Sequence, residues 1–107
     1  MAYFGYNLAR MRFEIVLAPE AVDDLRRLGA RERTTVAKAM ETHLRNQPGR
    51  ISRSRIKRLR GLSRPQYRLR AGEVRVFYDI SGSTVEVLAI VRKSEVNEWL
   101  AQFGRPQ

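Results

Sequence analysis

Between Gln66 and Val91 the chain divides into three strand-like runs, Gln66–Arg70, Glu73–Ile80 and Thr84–Val91, separated only by Ala71-Gly72 and Ser81-Gly82-Ser83. Connections this short cannot carry a crossover, so the runs must pair as an antiparallel meander. In the last run Val85, Val87, Ala89 and Val91 alternate with Glu86, Leu88 and Ile90. Both of its faces are then largely apolar, which predicts a central strand in a sheet that needs an apolar cover.

The cover must come from helices, and the sequence offers three. Pro19 suits the first helical position, where its missing N–H has no intrahelical partner, and Glu20, Asp23 and Asp24 favour the positive end of the helix dipole. Val22, Leu25 and Leu28 form the apolar stripe of this helix, which Gly29 closes. A second helix is predicted from Arg31 to Asn46, with Val36, Met40 and Leu44 in line and Ala37 widening the stripe, and Pro48-Gly49 ends it. Ser94 can cap a last helix in which Val96, Trp99, Leu100 and Phe103 share a face before Gly104.

Upstream, Arg12–Ala18 reads as a strand with Phe13, Ile15 and Leu17 on one side. Residues 1–10 show no period and are taken as an N-terminal extension to a single domain over residues 11–107. Arg50–Pro65, with Ser52, Ser54, Gly61, Ser63 and Pro65, shows no period and reads as an irregular loop. The order is therefore β-α-α-β-β-β-α. It describes an α+β fold in which an N-terminal strand, a helical hairpin, a three-stranded antiparallel meander completing one sheet, and a C-terminal helix leave one sheet face available.

That face is basic. Arg50–Arg75 holds ten of the 21 Lys and Arg residues and one acid, Glu73, in a chain of net charge +10. Charge gathered into one segment makes a field that attracts phosphates, whereas evenly spread charge gives solubility. The 43% apolar content is too high for a disordered basic tail, so the charge sits on a folded body. With no Cys, disulfides, thiolate metal sites and cysteine nucleophiles are excluded, and no metal or cofactor is expected. No apolar stretch approaches the roughly 20 residues of a membrane span. The N-terminus lacks the basic start and apolar block of a secretory signal, so a soluble, cytoplasmic protein is expected.

A period of two puts Arg68 and Arg70 together, opposite Tyr67 and Leu69, and a tight hairpin can bring Arg75 beside them. Three guanidinium forks on one sheet face match phosphate oxygens.

These residues also carry a resemblance. RLRGLSRPQYRLRAGEVRVFYDI (Arg58–Ile80) and VEVLAIVRKSEV (Val85–Val96), in this order of elements, resemble the RelE/ParE superfamily of bacterial toxins from type II toxin–antitoxin systems, on the RelE side. The likeness covers most of Met11–Phe103, and the Arg-Val-Phe-Tyr-Asp strand is its most specific part. It implies a ribosome-dependent endoribonuclease that cuts messenger RNA and is neutralised by a small acidic antitoxin in a hetero-oligomeric complex.

Carried over by position, the resemblance gives Arg68 and Arg70 the role of holding the RNA backbone and Arg75 that of contacting the scissile phosphate. Arg92, or alternatively Lys93, corresponds loosely to an arginine that protonates the leaving oxygen. The basic approach, Arg53, Arg55, Lys57, Arg58, Arg60 and Arg64, together with Tyr67, is the candidate RNA-binding surface. Trp99 and Phe103 read first as core anchors of the last helix; the resemblance also makes them antitoxin-binding candidates, because in relatives this helix can be displaced by the antitoxin.

The chain departs from the family pattern where Ser94-Glu95-Val96-Asn97 replaces a motif ending in Tyr, because Asn97 cannot act as a phenolic acid, base or stacking platform. Arginines are poor bases, since a guanidinium with a pKa above about 12 stays protonated. Lys93, Tyr67, His43, Glu73 and Glu95 remain open as base candidates, although His43 reads as a helix-surface or core-edge residue. Two other functions compete with messenger cleavage: a ParE-like inhibitor of DNA gyrase, and a nucleic-acid-binding module without catalysis.

Overall fold

The computed structural model describes residues 12–107, so the proposed extension at residues 1–10 lies outside the described residues. The elements run β1 (Glu14–Leu17), α1 (Pro19–Arg27), α2 (Ala30–Leu44), β2 (Ile56–Arg58), β3 (Leu62–Arg64), β4 (Tyr67–Ala71), β5 (Val74–Ser81), β6 (Thr84–Arg92), a 3-10 turn (Lys93–Glu95), α3 (Val96–Phe103) and β7 (Arg105–Pro106).

The meander forms as expected. β4 pairs antiparallel with β5 and β5 with β6, closing at Ala71↔Val74 and Ser81↔Thr84. Two residues make each turn, and the first of each pair, Gly72 (φ 63°) and Gly82 (φ 58°), lies in the left-handed region that other residues enter only with strain. β1 joins β6 in parallel, and the sheet order is β1-β6-β5-β4-β2. The central strand is therefore β5, and β6 is interior but second from the edge.

The stretch read as a loop contains β2, which extends the sheet along β4, and β3, which pairs with β7 in a separate two-stranded ribbon. Three-residue strands are too short to display a period. In β2 only Ile56 turns inward, at 3% exposure, while Lys57 and Arg58 are exposed.

α1 and α2 cover one face of the sheet. Ala21, Leu28, Val36, Met40 and Leu44 pack there on Leu69, Val74, Val76, Tyr78, Val85, Val87 and Ile90. Burying each large apolar side chain contributes about 1.5–3 kcal/mol. Two details differ from the helical periods. Ala21 is the buried residue of α1 while Val22 is only half-buried, and Ala37 is exposed while Ala39 packs against the core. Asp24 explains the turn of α1, because its Oδ2 accepts the Ile90 N–H at 3.0 Å and ties the helix to β6.

β6 does not alternate cleanly. The β5–β6 register shifts between Phe77↔Ala89 and Tyr78↔Val87, leaving Leu88 as an extra residue in a bulge. Val85, Val87 and Ile90 consequently face α1 and α2, whereas Ala89 and Val91 face the other way.

On that second side Ala89, Val91 and Phe77 form a smaller core with Leu59 and with Val96, Trp99 and Leu100 of α3. The Trp99 ring stacks on Phe77 at 4.9 Å and 10°. The helices are thus not confined to one side of the sheet, and the face expected to be open is partly occupied by α3. Ser94 makes no capping hydrogen bond; the 3-10 turn leads into α3 instead. No helix among the described residues is long and apolar enough to cross a membrane.

Candidate functional site

The part of the second face that α3 leaves uncovered is lined by arginines. In the β4–β5 register Arg70 stands directly opposite Arg75, and Arg68 stands opposite Phe77 on one side and Lys57 of β2 on the other. Directly opposed residues and residues two apart on a strand share a face. Arg68, Arg70, Arg75 and Lys57 therefore occupy one surface across three strands.

The three guanidiniums differ in setting. Arg75 is buried, at 8% exposure, and its Nη1 donates to the carbonyls of Gly72 at 2.8 Å and Val74 at 3.2 Å. The β4–β5 turn thus holds this side chain, and the left-handed Gly72 aims the receiving carbonyl. Arg68 is half-buried, and its Nε is buried with no acceptor among the described residues. Arg70 is exposed at the end of β4.

Desolvation, followed by the nearby charges of Arg75 and Arg70, lowers the pKa of Arg68. Desolvation and then Arg70 likewise lower that of Arg75. Both groups remain cationic at neutral pH, because an arginine starts above about 12. The lowering means that Arg68 and Arg75 are held charged while partly desolvated and beside a like charge, at a cost to folding which an anion relieves.

The remaining sequence candidates scatter. Arg92 lies opposite Val74 on the helix-covered side, and its Nη1 donates to Glu32 Oε2 of α2 at 2.7 Å. That hydrogen bond and charge raise its pKa. Lys93 opens the 3-10 turn beside the hairpin, its backbone N–H donating to the Glu73 carbonyl at 2.8 Å. Tyr67 faces the helices, stacks on Tyr78 at 5.4 Å, and carries the Arg58 guanidinium 5.0 Å above its ring. Burial drives the Tyr78 phenol strongly upward, and its OH donates to the Pro48 carbonyl at 2.7 Å.

Arg64 is committed to structure, bridging Asp79 at 3.0 Å and Glu86 at 3.3 Å. Arg55 donates to the Arg70 carbonyl at 3.1 Å, next to the arginine face. Arg53 and Arg60 are exposed in the approach to β2 and in the turn after it. Trp99 is half-buried on Phe77, whereas Phe103 is 54% exposed and touches the Trp99 ring only from its rim, at 5.5 Å. Chain order alone does not reveal the Arg92–Glu32 and Arg64–Asp79–Glu86 pairs, whose members lie far apart in sequence.

The family model for the ParE toxin of type II toxin–antitoxin systems (parDE) matches residues 15–97. The chain is a toxin of the RelE/ParE superfamily. Solved structures share the toxin's fold. The RelB–RelE antitoxin–toxin complex from Methanococcus jannaschii aligns with TM-score 0.62 at 19% identity, covering 78% of this chain and 96% of that one. The RelBE2 toxin–antitoxin complex from Mycobacterium tuberculosis aligns with TM-score 0.62 at 24% identity, covering 76% and 98%. A mutant of E. coli toxin RelE in the free state aligns with TM-score 0.62 at 24% identity, covering 86% and 97%. No curated protein sequence matches the toxin.

Proposed function

We propose that this toxin is a ribosome-dependent endoribonuclease that cleaves messenger RNA in the cytoplasm. The observation that carries the reading is the shared sheet face of Arg68, Arg70 and Arg75, where the charge of Arg70 acts, after desolvation, on both Arg68 and Arg75.

RNA brings its own nucleophile. As the 2′-oxygen attacks, its bond to phosphorus forms, the P–O5′ bond breaks, and a 2′,3′-cyclic phosphate and a 5′-OH end result. The 2′-OH proton must leave and the 5′-oxygen must gain one. Arginine forks suit the negative charge that builds on the phosphoryl oxygens, because preorganised cations stabilise the transition state beyond the ground state. They do not suit the proton transfers. Arg92 is held by Glu32 and Tyr67 faces the other side of the sheet, so the chain's main contribution is charge and alignment, with Lys93, His43, Glu73 and Glu95 left as proton-transfer candidates. The ribosome supplies the rest of the geometry.

A cognate acidic antitoxin is the partner in this reading. Among the structural neighbours, the M. jannaschii and M. tuberculosis structures are toxin–antitoxin complexes. An acidic segment lying over Arg68, Arg70 and Arg75, or beside Trp99 and Phe103 on α3, would neutralise the toxin. A contact on the arginine face would weaken as salt rises.

One observation favours a second reading. The family model is that of the ParE toxin, which brings in gyrase inhibition, while an Arg92 engaged by Glu32 and an Asn97 without a phenol give proton transfer no support. One preparation tested in parallel separates the two. The proposal expects new 5′-OH ends on messenger bound to translating ribosomes and undisturbed gyrase supercoiling. Blocked supercoiling with intact messenger would replace it with the ParE-like function, and RNA binding without new ends would leave a binding module.

A further inference from the structure

Beyond the β2 edge, between the end of α2 and the loop entering β2, lies a groove of about 410 Å³ walled by His43, Asn46, Gln47, Arg50, Ser52 and Arg55. We propose that this groove is a second nucleotide subsite, continuing the arginine face along a single-stranded RNA and taking a phosphodiester on Arg50 and Arg55 with a base or ribose against Asn46 and His43. This rests on the reading that the toxin binds RNA.

Three observations argue for it. The groove is physically joined to the first site through Arg55. Its backbone carbonyl accepts the Arg70 N–H at 2.8 Å and its guanidinium donates to the Arg70 carbonyl at 3.1 Å, while the same side chain lines the groove. The groove opens on the α2 side of the sheet, so a strand leaving Arg70 would round the β2 edge past Arg55 to reach it.

The wall is preformed. Ser52 Oγ accepts the N–H groups of Arg55 at 3.0 Å and Ile56 at 3.1 Å, which fixes the loop where it becomes β2. Arg50 Nη1 donates to Gln47 Oε1 at 3.0 Å, leaving the guanidinium's other donors for an incoming oxygen.

The lining chemistry fits a nucleotide. Two arginines line the groove, with no acidic side chain among the described lining residues. Desolvation and then Arg55 lower the His43 pKa, so its imidazole is neutral near pH 7, with one nitrogen donating and the other accepting. Asn46 adds an amide that can both donate to and accept from a base edge. Among the described lining residues Ile56 alone is an apolar residue, and it is 3% exposed.

The test measures affinity of full-length toxin for a labelled single-stranded RNA across a salt series. Arg50→Ala is expected to weaken binding about ten- to a hundredfold, the effect of one hydrogen bond to a charged group. It should lower the salt slope by about 0.7, the value for one phosphate contact on a single strand, with unchanged melting temperature. Asn46→Ala should alter the preference among homopolymeric RNAs while leaving the slope intact. Arg68→Ala, as reference, should weaken binding through the first site. If Arg68→Ala weakens binding while Arg50→Ala and Asn46→Ala change neither slope nor preference, the groove lies off the RNA path and this inference falls alone. If wild type shows no salt-dependent RNA binding, the underlying reading falls with it. If an acidic peptide binds wild type but not Arg50→Ala, while RNA binds both equally, the groove belongs to a protein partner and the proposal is overturned.

Discussion

Arg68→Ala is expected to lower messenger cleavage on translating ribosomes by about two to three orders of magnitude, the loss seen when one preorganised donor to a developing anion is removed. The same substitution should leave the melting temperature unchanged or raise it. In the folded toxin Arg68 buries its Nε without an acceptor among the described residues and sits within the fields of Arg75 and Arg70. Each of these opposes folding in the free protein, because a buried donor loses its water and like charges repel. The sign follows from linkage: a base whose folded pKa lies below its unfolded value is held in its charged form at a cost to stability at every pH below the two. Removing the charge removes that cost. A residue needed only for folding would behave oppositely, with activity and melting temperature falling together. Ribosomal cleavage rates and thermal melts on the two proteins read out both halves.

Phe77→Ala is expected to cost about 3–5 kcal/mol, the range for deleting a fully buried aromatic ring. Phe77 is 0% exposed and is the floor on which Trp99 stacks, so its loss leaves a cavity and removes the partner that seats α3 on the sheet. A small domain has only about 5–15 kcal/mol of total stability, so the variant should approach the threshold of folding. Phe103→Ala, one turn beyond Trp99 and 54% exposed, should change stability by less than about 1 kcal/mol. Urea denaturation of the two variants makes the contrast. Equal destabilisation would mean that α3 is held along its whole length and not through Trp99 alone.

The legible parts of this fold are those that local chemistry writes into adjacent residues. Gly72 and Gly82 mark the two tight turns, so the meander followed, and the period of two put Arg68 and Arg70 on one face with Tyr67 on the other. Arg75 could be placed beside them because the first turn is only two residues long. The illegible parts depend on partners distant in sequence. Leu88 bulges out of β6, and an extra residue in one strand leaves no mark on an apolar run, so the switch of Ala89 and Val91 to the second core could not be read. β2 was hidden because a strand with one inward residue, Ile56, has no period.

Charge was legible in amount and not in allegiance. Arg64 and Arg92 looked as available as Arg70 until Asp79, Glu86 and Glu32 were seen to hold them. Ion pairs formed across 15, 22 and 60 residues of chain carry no local signal. The arginines therefore divide into those that acidic side chains hold in the fold and those gathered on one sheet face without an ion-pair partner among the described residues.

The claim at the centre is that Arg68, Arg70 and Arg75 act on one phosphate. NMR detection of the arginine Nε–Hε resonances during titration with a short single-stranded RNA tests it most directly. The account predicts that the three signals move together and saturate with a single dissociation constant, with Arg68 moving most because its Nε–H has no acceptor among the described residues. Movement of the exposed Arg70 alone, or three signals saturating at different concentrations, would contradict it.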